Sequence, residues 1–144
     1  MNNEPIISGT AICDYIPQHP PIVMIDKFFG LDGEASQSGL TISEQNLFCA
    51  DGKFLDGGIV EHIAQSGAMH IGYEFISRGE KVPLGFIGSV NKLKINRLPL
   101  VGEELRTSIC IEAKVGDISL IKASVMVGDE VIAEGKMKVA TQPQ

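Results

Sequence analysis

The chain has 144 residues, enough for one domain around one core, and its 44% hydrophobic content is ample for burial. Twelve basic against 18 acidic residues leave a net charge of −6, which argues against nucleic acid, whose phosphates demand a basic face. An acidic protein partner docking on a local basic patch remains compatible with that charge. No apolar run approaches the ~20 residues of a membrane span, and the start MNNEPIISG lacks the basic residues of a secretory signal. The expectation is a cytoplasmic protein with no membrane partner. Cys13, Cys49 and Cys110 show no metal-ligand or redox spacing and read as buried or free thiols, with no metal site.

In chain order, Ser8 to Tyr15 suits a short helix, capped by Ser8 or Thr10 and stopped by Pro17. Pro17, Pro20 and Pro21 then impose an extended stretch, because proline fixes its own φ and restricts the residue before it. Ile22 to Leu31 and Ala35 to Ile42 read as two strands joined near Asp32-Gly33, a hairpin signal. Ser43 to Asp56 is a polar, glycine-containing loop.

From Gly57 the apolar period changes. Ile59, Val60, Ile63, Ala64, Gly67, Ala68, Ile71, Gly72, Phe75 and Ile76 fall in adjacent pairs every four residues, one broad face of a long helix from Gly57 to Ser77. Asp56 is the expected N-cap and Gly79 the stop. Such a rod is roughly 30 Å long. Ala64, Gly67, Ala68 and Gly72 make part of the face small. Each helix-interior glycine costs about 1 kcal/mol relative to alanine, so the pair implies a close backbone approach, such as a sheet curling tightly over the helix. After Pro83 come four strand-like runs, Leu84 to Ile95, Glu104 to Val115, Ile118 to Val127 and Val131 to Ala140. Gly116-Asp117 and Gly128-Asp129 mark the last two connections as hairpin turns. The expected class is α+β, a long central helix wrapped by a curved antiparallel sheet of about six strands, in a single domain.

This order is that of the hot-dog fold, and three stretches resemble the β-hydroxyacyl-acyl-carrier-protein dehydratases within it. Pro17 to Lys27, with Pro17, Pro21, an apolar run and then Asp26-Lys27, is similar to the family's proline segment. Glu61-His62-Ile63-Ala64-Gln65 looks like its helix signature of glutamate, two residues, alanine and glutamine. Phe86-Ile87-Gly88 through Lys92-Leu93-Lys94-Ile95 to Arg97 and the Leu98-to-Leu105 turn resembles its post-helix strand and proline-glycine turn. The resemblance implies a dimer with sheets joined edge to edge and two acyl tunnels at the interface. It further implies a substrate thioester on the phosphopantetheine arm of an acyl carrier protein, with no other cofactor. The implied reaction is reversible loss of water from a 3-hydroxyacyl chain to a trans-2-enoyl product, as in fatty acid, polyketide or aryl polyene synthesis. A loop histidine and the helix glutamate, from opposite subunits, would do the acid–base work.

Glu61 matches that glutamate. The helix macrodipole near its first turns favours the carboxylate, whereas desolvation in an apolar tunnel favours the acid. Gln65, one turn on, shares its face and could orient it or a water. Gly57 and Gly58 offer backbone N–H groups to a thioester carbonyl, as an oxyanion hole would, although the family's glycine falls in register with Asp56. Lys92 and Lys94, on one side of a strand by alternation, and Arg97 just beyond would form a basic docking face for an acidic carrier.

The departure is the histidine. The loop Asn46 to Leu55 is shorter than the family's and contains none, and a missing acid–base group typically costs ~10²–10⁴ in rate. Asp51 or Cys49 could replace it, either being new chemistry. His62 and His70 read as surface or interface residues, since neighbouring helix positions point about 100° apart, and His19 is assigned no role. A chain that keeps the glutamate but lacks the histidine could instead complete one site by pairing with a histidine-bearing relative, giving a heterodimer in place of a homodimer, or a higher oligomer. Thioester hydrolysis and non-catalytic acyl binding are the competing functions.

Overall fold

The structure is a computed structural model that describes residues 3–142, with the backbone alone described at 84–89 and 142. Its elements are β1 (Ile7–Ser8), a 3-10 helix (Gly9–Asp14), β2 (Lys27–Asp32), β3 (Ala35–Thr41), β4 (Cys49–Ala50), β5 (Lys53–Phe54), α1 (Asp56–Ser77), β6 (Leu84–Ile95), β7 (Glu104–Val115), β8 (Ile118–Val127) and β9 (Glu130–Gln142). Seven strands form one antiparallel sheet in the order β1-β2-β3-β7-β8-β9-β6, and β4 and β5 form a separate hairpin. The strand beyond the expected six is the two-residue β1, which pairs Ile7 with Phe28.

Turn chemistry sets the meander. Asp32 pairs with Ala35 across Gly33-Glu34, with Gly33 at φ +61°, and Gly116 and Gly128 adopt φ of about +60° in the next two hairpins, a conformation that costs glycine nothing. Among the described residues β6, the strand after the helix, pairs with β9 alone and lies at the sheet edge.

The helix ends as its residues dictate, though one position off at the start. Leu55 is the N-cap, and Asp56 is already helical, its carboxylate accepting the Gly57 N–H at 3.0 Å. At the other end Gly79 (φ +74°) donates to the Ile76 carbonyl and Glu80 to the Phe75 carbonyl, both at 2.9 Å, the paired bonds that satisfy a helix's last carbonyls. Near the N-terminus the short helix is 3-10, and Ser8 precedes it without a side-chain cap bond.

Ile59, Ile63 and Ile71 pack on Leu105, Ile109, Ile121, Val125 and Met137 of the sheet. A second cluster, Ile12, Ile16, Ile25 and Phe28, closes over Met69 from another side. The helix is therefore buried on more than the one face its apolar residues define, and His62, Gln65, Ser66 and His70 are completely buried too. Both expected close approaches exist, against different partners. A Cβ at Gly67 would meet the Met137 methyl at 2.8 Å, whereas one at Gly72 would land on the Tyr15 carbonyl, so the second neighbour is the N-terminal segment and not the sheet.

The strand expected from Ile22 starts only at Lys27. Before it, Ile22 to Ile25 takes hydrogen bonds from helix side chains, and that arrangement builds the site.

Candidate active site

Glu61 projects from the second turn of α1 and is half-buried. Gln65, one turn later, donates from Nε2 to Glu61 Oε1 at 2.9 Å and to the Ile22 carbonyl at 2.8 Å, while its Oε1 accepts the Met24 N–H at 2.6 Å. A carboxamide with a donor on its oxygen and two acceptors on its nitrogen has one satisfied orientation. Gln65 thus presents an N–H to the carboxylate, the alignment its spacing suggested.

His62 and His70 correct the sequence reading, since neither lies on the surface. His62 Nδ1 lies 2.7 Å from the Met24 carbonyl and Nε2 2.7 Å from Thr107 Oγ1. A carbonyl only accepts, so Nδ1 carries the proton and the bare Nε2 accepts from the Thr107 hydroxyl. Burial lowers its pKa to about 4, against the opposing pull of the Met24 carbonyl and Asp26. His70 Nδ1 meets Ser36 Oγ at 2.7 Å, and burial lowers its pKa to about 4 as well, with Glu34 opposing and Lys114 assisting. The overlooked signal is that Glu61 is the only formally charged residue from Ile59 to Tyr73. A helix uncharged all round is a buried helix, and its lone carboxylate stands out.

Asp51 is exposed at the β4–β5 turn with φ +52°, and the neighbouring Gly52 carbonyl accepts from Val101, which anchors this tip to the segment before β7. Among the described residues no hydrogen bond joins Asp51 to Glu61. Cys49 is half-buried and packs against the core, and desolvation raises its pKa, away from a reactive thiolate.

The two glycine N–H groups expected to face a thioester are both engaged. Gly57 N–H donates to the Asp56 carboxylate and Gly58 N–H to the Leu55 carbonyl at 2.9 Å. Gly58 is needed for packing, since a Cβ there would sit 2.5 Å from the Phe54 ring and 2.8 Å from Phe48 Cβ.

The basic face also differs. Arg97 is chelated by Glu103 (2.8 Å) and Glu130 (3.0 Å), so one guanidinium meets two carboxylates and the local charge is negative. Hydrogen bonds from both carboxylates raise its pKa, and Arg97 in turn lowers that of Glu103. Lys92 and Lys94 are exposed, but Lys92 sits at φ +52° in a bulge between Asn91 and Lys94, which breaks the alternation, and Lys94 lies opposite Glu134.

A long helix wrapped by an antiparallel sheet is the hot-dog arrangement, and here its early turns carry the oriented Glu61 carboxylate. The chain belongs to the ApeP-like dehydratase family, whose model, described as ApeP dehydratase, matches residues 10–144, and its activity class is that of a hydro-lyase. The 3-hydroxyacyl-[acyl-carrier-protein] dehydratase FabZ of Clostridium botulinum (strain Loch Maree) is 29% identical over 141 residues, 93% of this chain and 95% of that protein. Among solved structures, the dehydratase heterocomplex ApeI:P from Xenorhabdus doucetiae matches with a TM-score of 0.84 at 16% identity, over 92% of this chain and 91% of that one. Cj0977, a sigma28-regulated virulence protein of Campylobacter jejuni, matches with a TM-score of 0.69 at 14% identity, over 89% and 82%. These two likenesses are of fold. No helix among the described residues is long and apolar enough to cross a membrane.

Proposed function

We propose that the chain dehydrates a 3-hydroxyacyl thioester carried by an acyl carrier protein, as one subunit of a heteromeric hot-dog dehydratase. The reaction breaks the C2–H and C3–O bonds, forms the C2=C3 double bond and releases water. It needs one group to take the C2 proton and one to protonate the departing hydroxyl. Glu61 supplies one of the two, and the Glu61–Gln65 pair is the observation that carries the reading. A carboxylate given a fixed N–H in a half-buried position is held for proton transfer, whereas a solvated surface glutamate is not.

The second group is proposed to come from a partner hot-dog subunit. The loop Asn46 to Leu55 contains no histidine, and both nitrogens of His62 are already bound within the chain. The dehydratase ApeI:P, which this chain resembles in fold, is a heterocomplex, which supports the pairing. The long edge strand β6 offers unpaired backbone groups for the junction. For the carrier, Lys92 and Lys94 remain as exposed cations at its end, without Arg97.

The test is to assay the chain alone, and mixed with a histidine-bearing hot-dog homologue, on a 3-hydroxyacyl thioester, following absorbance of the enoyl thioester. The mixture is expected to be active and to lose roughly 10²-fold or more with Glu61→Gln. Unchanged activity on mixing, or an undiminished Glu61→Gln variant, removes the proposal, and release of free thiol would indicate hydrolysis. The absent loop histidine specifically favours one other reading, a non-catalytic acyl-binding subunit, which predicts thioester binding without turnover in every combination.

A further inference from the structure

The hydrogen bonds at Glu61 do not stop at Gln65. The Thr107 hydroxyl donates to His62 Nε2, His62 Nδ1–H to the Met24 carbonyl, the Met24 N–H to Gln65 Oε1, and Gln65 Nε2–H to Glu61 Oε1. Every bond is between 2.6 and 2.9 Å, and Thr107, His62, Met24 and Gln65 are all completely buried or nearly so. We infer that His62 is a positioning residue for Glu61, acting through the Met24 peptide and Gln65. The inference rests on the reading of Glu61 as the acid–base carboxylate.

Among the described residues the Ile22-to-Ile25 segment pairs with no strand, and helix side chains hold it. His62 takes the Met24 carbonyl and Gln65 takes both the Met24 N–H and the Ile22 carbonyl. The imidazole is itself braced against β7 by Thr107. Without His62 the Met24 carbonyl is buried with no donor, a cost that the segment relieves by moving. Gln65 takes its orientation from that peptide, so its N–H would leave the carboxylate. A displacement of about 1 Å at a reacting group can cost ~10²-fold in rate. His70 is the internal control. It is equally buried on the same helix, yet its bond goes to Ser36 on β3 and leads nowhere near Glu61.

The experiment uses the assembled complex with the histidine-bearing subunit and a 3-hydroxyacyl N-acetylcysteamine thioester as probe. His62→Leu, His62→Asn, Thr107→Val, His70→Leu and Glu61→Gln are compared for kcat, KM and the side-chain amide resonances of Gln65. Expected are a kcat loss of roughly 10- to 100-fold in His62→Leu with KM within about twofold, and displaced Gln65 resonances. His62→Asn, whose amide nitrogen can replace Nδ1 as donor, should restore most of kcat, and His70→Leu should leave kcat unchanged. If His62→Leu does not fold, Thr107→Val carries the test, with a smaller kcat loss and shifted Gln65 resonances. Parental kcat with unmoved Gln65 resonances in whichever of the two folds overturns the inference, as does an equal kcat loss in His70→Leu. Parental kcat in Glu61→Gln instead overturns the reading of Glu61 on which the inference rests.

Discussion

Acidification from pH 7 to pH 5 should destabilise this protein through two side chains. His62 and His70 are held neutral by burial, with folded pKa values of about 4 against an ordinary 6.5. The unfolded chain binds these protons first, so the contribution to stability is fully present above pH 6.5 and is lost as pH falls towards 4. At pH 5 an unfolded histidine is almost wholly protonated and a folded one almost wholly neutral, which corresponds to about 2 kcal/mol for each ring. Together they remove about 4 kcal/mol, a large part of the ~5–15 kcal/mol that holds a typical domain. Urea unfolding at pH 7 and pH 5 measures the difference directly. His70→Asn should roughly halve the pH-dependent part, whatever it does to stability at pH 7. Equal free energies of unfolding at the two pH values would refute the reasoning, as would histidine ring resonances that titrate near 6.5 in the folded protein.

Gly72→Ala should destabilise although helix propensity favours alanine by about 1 kcal/mol. The new methyl lands on the Tyr15 carbonyl, and overpacking at ~1–3 kcal/mol wins, lowering Tm by about 3–6 °C. At Gly57 a Cβ would meet only the Phe48 ring at 3.4 Å, so Gly57→Ala should hold or raise Tm in the same scan. Arg97→Met should leave Glu103 and Glu130 facing each other and cost about 1 kcal/mol by urea unfolding, the small figure reflecting partial exposure. That cost should shrink in high salt, and an undiminished cost in 1 M salt would point to packing instead. Charge reversal at Lys92 and Lys94 should slow association with an acidic carrier protein roughly tenfold at low salt, measured by stopped-flow mixing, and an unchanged rate removes these lysines from the docking face.

The helix, the hairpins and the strand-helix-strand order were legible because each rests on local rules. Apolar pairs every four residues, Gly33, Gly116 and Gly128 in tight turns, and Gly79 at the helix end act within a few residues of themselves. Glu61 and Gln65 were legible for a related reason, since one helical turn separates them wherever the helix packs. What surrounds the helix is not a local property. The periodicity marks one broad face, yet His62 and His70 are buried too, His62 between the Met24 carbonyl and Thr107 of β7 and His70 against Ser36 of β3.

Charge failed as a local guide in the same way. Arg97 looked like a free cation beside two lysines until β9 brought Glu130 and the turn before β7 brought Glu103. The Gly57 and Gly58 N–H groups, by contrast, are taken by residues close in sequence, the Asp56 carboxylate and the Leu55 carbonyl. The residues of Ile22 to Ile25 read as strand because they are extended and apolar, but a strand also needs a partner, and here Gln65 and His62 replace one. By itself the sequence determined which segments form helix and strand and that Gln65 lies one helical turn from Glu61. Only the tertiary structure decided which polar groups are already bonded, because a hydrogen bond between residues about 40 positions apart leaves no periodic trace in the chain.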